Sequence, residues 1–279
     1  MGRPAAPELR IRRWRGGHWM EAEDAVVTEE PLQLMLDGSA LSVVMRTPGQ
    51  DVELAVGLMH GEGIIRSRED VRLVRISAEA GESAAGIGLE ASLVESNQVD
   101  VQLGAAPRRR PERSMLSSSA CGVCGMVLIE DLRRDLAPLP AGPLVDASIL
   151  PGLVEQLRSG QGVFDRTGGL HAAGLFTPDG ELICLREDVG RHNAVDKVVG
   201  RMLLEDRLPA AHAILVVSGR AGYEIVQKSI SAGIPVLAAV GAPSSLAVSL
   251  AREFNQTLVG FLRGDRFNVY SAGERLSAT

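Results

Sequence analysis

Two short apolar runs, Ala213–Val217 and Pro235–Val240, do most to limit what this chain can fold into. Each ends in a turn of small residues, Ser218-Gly219-Arg220-Ala221-Gly222 and Gly241-Ala242-Pro243-Ser244-Ser245. Helically spaced stretches follow, at about Tyr223–Ala232 and Ser244–Asn255. Such runs read as buried strands alternating with helices, the pattern of a layered α/β sheet. The flanking sequence continues it. Ile149–Arg158 reads as a helix, and Ala172–Phe176 with Glu181–Arg186 as a strand pair across Pro178-Asp179-Gly180. A helix is predicted over about His192–Asp206, and Thr257–Leu262 and Phe267–Tyr270 close the chain as strands. No internal repeat or low-complexity segment interrupts the pattern.

The first hundred residues read differently. Met1 to about Met20 is basic and irregular and is expected to be a flexible end. Ala25–Thr28, Leu32–Leu36 and Leu41–Met45 read as short strands, with Asp37-Gly38 as a hairpin turn between the last two. Asp51 is placed to cap a helix whose Leu54, Ala55, Leu58 and Met59 recur at helical spacing. Strands are predicted at Val71–Ser77, Gly86–Leu93 and Val99–Leu103. The expected organisation is a flexible 1–20, a small α+β domain over 21–106, a linker and cysteine loop over 107–125, and a larger α/β domain over 126–279.

The linker, Ala105-Ala106-Pro107-Arg108-Arg109-Arg110-Pro111, leads to Ser117-Ser118-Ser119-Ala120-Cys121-Gly122-Val123-Cys124-Gly125. The apolar run from Met126 reads as a helix, which puts Cys121 and Cys124 at or just before its N-terminus. Unpaired N–H groups and the positive dipole end stabilise a thiolate there. A low-pKa thiol on a mobile loop suits handing a sulfur atom onward. Cys184, inside Leu182–Leu185, reads instead as a packing residue.

Composition removes several classes of function. At 45% hydrophobic over 279 residues the chain has enough apolar material for a core. Aromatics at 3% and a net charge of −6 argue against nucleic-acid binding. Three cysteines are too few for a disulfide-built secreted domain, so a reducing cytoplasm is expected. No apolar region follows the N-terminal arginines as in a signal peptide, and no run is long enough to span a membrane.

Ligands of open α/β sheets sit beyond the carboxyl ends of the strands, which singles out the turns. Ser218, Gly219 and Arg220 suit a phosphate, or form an ordinary capped turn. Arg191 and His192 open a helix, where cations are poor dipole partners unless an anion binds; the alternative is a solvated helix end capped by Asp188. Thr167-Gly168-Gly169 is a flexible turn before His171. Phe261-Leu262-Arg263-Gly264-Asp265-Arg266 offers an acid for a guanine edge and arginines for phosphate, or is a charged hairpin.

Taken together, Ser119–Gly125, Phe164–Ala173 and Glu187–Lys197 resemble the FdhD family, the formate dehydrogenase accessory sulfurtransferases. Ser218–Arg220, Ser231–Pro235 and Phe261–Arg266 look like further motifs of that family, in its order. The resemblance runs from about Glu29 to the C-terminus, departing at Ala120, where similar sequences often repeat serine or threonine. It implies a cytidine-deaminase-like layered α/β domain behind a smaller one, usually as a homodimer. It also implies sulfur transfer from a cysteine desulfurase to the molybdenum bis(molybdopterin guanine dinucleotide) cofactor that formate dehydrogenase needs. On this chain Cys121 would hold the persulfide with Cys124 assisting, and Phe261 to Arg266 would line the guanine dinucleotide site.

Other readings predict other results. His60-Gly61-Glu62 with Cys121–Cys124 makes most of a zinc deaminase signature, but no proline precedes Cys121 and His60 reads better as the end of a helix. A thioredoxin-type C-x-x-C should follow an early strand in a βαβ unit, not a basic linker. A cofactor chaperone without sulfur chemistry would keep activating its client after Cys121→Ala.

Overall fold

The computed structural model describes residues 5–77, 88–93, 97–107, 115–116 and 136–277. The expected cysteine loop and the helix after it lie outside these residues. Two six-stranded sheets organise the described chain, and both are mixed in direction.

The C-terminal sheet comprises β10 (His171–Phe176), β11 (Leu182–Asp188), β12 (Ile214–Val217), β13 (Val236–Ala239), β14 (Thr257–Arg263) and β15 (Arg266–Ser271). Its order is β11-β10-β12-β13-β14-β15, with β12, β13 and β14 parallel and the other pairs antiparallel. The apolar runs alternate between two faces. Leu215, Val217, Leu237 and Ala239 meet helices α4 (Arg191–Leu204), α5 (Tyr223–Ser231) and α6 (Ser245–Glu253). Ile214, Val216, Val236 and Ala238 meet α2 (Leu150–Ser159) through Leu150, Leu153 and Leu157. Burial on both sides is why these strands read as unbroken apolar sequence.

The N-terminal sheet contains β3 (Glu30–Leu36), β4 (Ser39–Arg46), β5 (Val71–Ser77), β6 (Gly88–Leu93), β7 (Gln98–Leu103) and β8 (Met115–Leu116), in the order β6-β5-β7-β3-β4-β8. The predicted Asp37-Gly38 turn is present, with φ of 49° and 77°, the left-handed pair that a tight hairpin needs. Helix α1 (Asp51–Gly61) lies between this sheet and α4, and every one of its residues is buried.

Helices α1 and α4 cross backbone to backbone. A Cβ on Gly57 would collide with the Asp196 carbonyl, and one on Gly200 with the Glu53 carbonyl. Glycine here permits close approach rather than a turn. Leu203 and Leu204 of α4 complete the N-terminal core, so the two sheets share a wall.

Ion pairs also close this wall. Lys197 Nζ lies 2.8 Å from Asp188 Oδ2, and both side chains are essentially inaccessible. Asp188 also accepts from the backbone of Thr47 and Gly190 and from Asn193, which in turn donates to the Met45 carbonyl. Lys228 pairs with Asp196 at 2.6 Å, and Arg186 holds Glu53 through two nitrogens. Buried charges are tolerable only when paired and hydrogen-bonded in this way.

Three sequence expectations need correction. Residues 8–25, read largely as an irregular end, form a hairpin of β1 (Glu8–Arg15) and β2 (His18–Ala25) around Gly16-Gly17. Alternating arginines hid the strand period. The strand expected at Ala25–Thr28 stops at Ala25. Asp51 does not cap α1: Gln50 occupies the cap in the left-handed region, and the Asp51 carboxylate is held by Arg46 Nε and Nη2 at 2.9 and 2.8 Å. Among the described residues no helix is long and apolar enough to cross a membrane.

Candidate functional site

The carboxyl ends of β11, β12, β13 and β14 form one rim, and most of the predicted site residues gather there. Gly219 follows β12, and a methyl added to it would lie 3.4 Å from His171 Nδ1 and 3.7 Å from Arg191 Cδ. Its missing side chain keeps the backbone open beside a histidine and an arginine. Ser218 Oγ accepts from the Ala172 N–H, fixing the turn against β10. The turns after β12 and β13 are tied together by Gly241 N–H donating to the Gly219 carbonyl.

Arg191 and His192 open α4, whose cap residue, Gly190, offers no side chain. The first intrahelical bond runs from the Ala194 N–H, so the N–H groups of residues 191–193 have no helical acceptor. Among the described residues neither Arg191 nor Arg220 has a carboxylate partner. His192 does: its Nε2 lies 3.2 Å from Glu224 Oε2. Burial and the neighbouring Arg191 push the His192 pKa down to about 3. It is therefore a neutral imidazole beside Glu224, whose own pKa is raised by burial. His171 is also lowered, by burial and by Arg191.

The ten-residue motif Asp188–Lys197 thus divides. Asp188, Asn193, Asp196 and Lys197 turn inward to the wall between the sheets, and Arg191 and His192 turn to the rim. The sequence showed the density of charge but not this division.

Below the rim is a cavity of about 440 Å³, lined by the predicted Gly168, Gly169, His171 and Ser218. Thr167 to Gly169 is not the open turn expected. Thr167 ends a short helix, α3 (Gly162–Thr167), and Gly168 terminates it at φ 67°. Glu187 accepts from the Val163 and Phe164 N–H groups at the start of that helix. The Arg158 guanidinium lies 4.4 Å from the centroid of the Phe164 ring at the cavity wall. Gln161, also lining it, is buried with its Nε2 unpartnered among the described residues. Sequence reading missed Arg158, Gln161 and Glu224, because isolated polar residues on helices carry no motif.

The Phe261–Arg266 stretch is split by its own hairpin. Phe261, at φ 55°, donates its N–H to the Gly241 carbonyl and is exposed, whereas Leu262 is buried in the core. Arg263 Nε donates to the Val240 carbonyl at 3.2 Å, on the rim. Gly264 and Asp265 instead line a separate depression beside α2, and Arg266 pairs back with Arg263 across the strands.

Cys121 and Cys124 lie outside the described residues. The chain enters that segment from β8, which runs parallel to β4 at Ser42 and Val43, and β4 leads to Met45 and Thr47 against the start of α4. It leaves the segment at Leu136, packed on the C-terminal core. Cys184, by contrast, sits between the sheets with its thiol pushed up to about 11 by burial. Among the described residues no three His, Cys, Asp or Glu side chains are grouped to hold a metal ion.

A profile of the FdhD/NarQ family matches residues 27–277. The chain belongs to this family. An FdhD/NarQ relative from Mycolicibacterium paratuberculosis, described as sulfur carrier protein FdhD, is 48% identical over 273 residues, 96% of this chain and 97% of its own. One of the same description from Nocardia farcinica is 46% identical over 281 residues, 99% of this chain and 96% of its own. A crystal structure from Desulfotalea psychrophila, described as that of a formate dehydrogenase accessory protein, matches with a TM-score of 0.76 at 26% identity. It covers 98% of this chain and 100% of the other.

Proposed function

We propose that this chain is a sulfur carrier that takes persulfide sulfur from a cysteine desulfurase and delivers it to the molybdenum bis(molybdopterin guanine dinucleotide) cofactor of a formate dehydrogenase. The observation that carries the reading is the near-complete match to relatives described as sulfur carriers. The rim supports it independently: Arg191, Arg220 and Arg263, a helix N-terminus and the bare backbone of Gly219 are the donors a pyrophosphate requires. In this reading Arg191, His171, Ser218, Gly219 and Arg220 receive the phosphates, and Arg263 and Phe261 border them. The order and directions of the C-terminal strands favour a cytidine-deaminase-like layering behind a smaller N-terminal domain, and three cysteines in the whole chain favour a reducing cytoplasm.

Loading needs only the Cys121 thiolate. It attacks the outer sulfur of the donor persulfide, the donor S–S bond breaks, and the donor cysteine leaves as thiolate. Cys121 then carries the extra sulfur as a persulfide. Two exits differ at Cys124. Its thiolate can attack Cys121 Sγ, forming a disulfide and releasing hydrosulfide, or the outer sulfur can pass straight to an acceptor that supplies the electron pair.

Intact-mass spectrometry after incubation with a cysteine desulfurase and isotope-labelled cysteine tests this. One labelled sulfur is expected on the wild type and on Cys124→Ala, and none on Cys121→Ala. Full activation of formate dehydrogenase by Cys121→Ala would leave the cofactor chaperone standing instead.

A further inference from the structure

The cavity below the rim holds one polar group that the fold itself leaves unused. Gln161 stands at the cap of α3, where a polar side chain ordinarily accepts from the first N–H groups of the helix. Glu187 has taken that role, accepting from Val163 and Phe164 at 3.2 and 3.0 Å, and Gln161 makes no capping bond. Gln161 is only 3% exposed, and its Nε2 has no hydrogen-bond partner among the described residues. A buried amide donor left unpaired costs stability, so packing alone gives no reason for it.

The walls around that donor are largely apolar. Val154, Leu157, Leu170 and Val240 line the cavity together with Phe164. Arg158, also on the wall, is already engaged: its guanidinium lies over the Phe164 ring and pairs with Asp165 at 2.6 Å. His171 and Ser218 belong to both the cavity and the rim, and burial and Arg191 lower the His171 pKa. The volume of about 440 Å³ falls within the roughly 300–1,000 Å³ of small-ligand pockets. A fitting occupant is neutral and flat inside, offers an acceptor to Gln161, and keeps its negative charge on the rim beside Arg191.

We infer that the cavity receives a fused 2-aminopyrimidinone ring of the rim's ligand, with Gln161 Nε2 donating to the ring oxo group. Guanine and a pterin share this edge, so either end of the proposed cofactor presents it, and to that extent the assignment rests on the proposed function. Adenine carries an amine where these rings carry oxygen, and in a dry site two donors would then face each other. Asp265, the acid that the sequence suggests for a guanine edge, lines the separate depression beside α2 instead. Gln161 is thus a specificity-determining residue and takes no part in sulfur transfer.

Calorimetric binding of GDP, dihydroneopterin triphosphate and ADP to the full chain tests this, comparing wild type, Gln161→Met and Arg191→Ala. Methionine keeps the unbranched shape of glutamine without the donor, so Gln161→Met should unfold at the same or a higher urea concentration. Its affinity for GDP, for the pterin or for both should fall at least about tenfold, with ADP affinity as in the wild type. Loss for GDP alone assigns the cavity to the guanine end, loss for the pterin alone to the pterin end, and loss for both admits either ring. Binding of both ligands that Gln161→Met leaves unchanged would overturn the inference; if Arg191→Ala still weakened it, the anion-binding rim would stand. An equal loss for ADP, or unfolding at lower urea, would make Gln161 merely structural and overturn it too. No binding of either ligand to the wild type would overturn both the inference and the rim, while labelled sulfur on Cys121 would still support the carrier.

Discussion

The wall between α1, α4 and α5 and the rim at the ends of β11–β14 are both dense in charge, yet their charges are arranged oppositely. In the wall every cation has its anion: Lys197 has Asp188, Lys228 has Asp196, and Arg186 has Glu53. On the rim, among the described residues, neither Arg191 nor Arg220 forms an ion pair with a carboxylate. The wall's pairs lock the two sheets, whereas under the proposed function the rim's arginines would meet a ligand that brings its own negative charge. One continuous motif, Asp188–Lys197, supplies both regions.

The largest expected effect comes from breaking the wall. Lys197→Ala strands the Asp188 carboxylate in an inaccessible site, which should cost about 3–5 kcal/mol in urea unfolding at neutral pH. The loss should appear with no change in any ligand contact, since among the described residues Lys197 reaches only Asp188 and the carbonyls of Thr47 and Glu187.

Acid should loosen the molecule next. Burial and nearby Lys228 and Arg66 hold the His60 pKa down to about 4, below its ordinary 6.5. The unfolded chain therefore takes up the proton first, and stability present above pH 6.5 is lost as pH falls toward 4. His60→Leu should flatten the unfolding free energy by up to about 1.4 kcal/mol per pH unit in that window. His192, lowered to about 3, extends the loss to lower pH. An unchanged slope in His60→Leu would remove His60 from the account.

A smaller contrast separates the cysteines. With its thiol raised to about 11, Cys184 is almost wholly protonated near pH 8 and should resist iodoacetamide until the protein unfolds. Peptide mapping after brief alkylation should find the label on Cys121 or Cys124. Label on Cys184 in the folded protein would contradict the burial argument.

How legible the molecule was follows the same division. The strands of the C-terminal sheet were readable because burial on both faces leaves uninterrupted apolar sequence, as at Ile214–Val217 and Val236–Ala239. The Asp37-Gly38 turn was readable because its backbone demands those residues. The β1–β2 ribbon was not, since neither face is buried and no apolar period exists to read. The rim was half legible: the sequence placed Gly219 and Arg191 at neighbouring turns, and the fold brings them together. Nothing in the sequence says that Asp188 and Lys197 leave it, or that Asp265 faces away, because pairing across 141 residues, as between Thr47 and Asp188, has no local signature. Gln161 and Glu224 matter only through what the fold brings to them.

The most direct test of the central contrast is calorimetric binding of GDP, used as a stand-in for one nucleotide half of the cofactor, to the wild type and to Arg191→Ala, with urea unfolding of the same samples. The account predicts affinity for GDP that falls at least about tenfold in Arg191→Ala. It also predicts unfolding within about 0.5 kcal/mol of the wild type. Unchanged GDP affinity in Arg191→Ala, or a loss of stability comparable to that of Lys197→Ala, would contradict it.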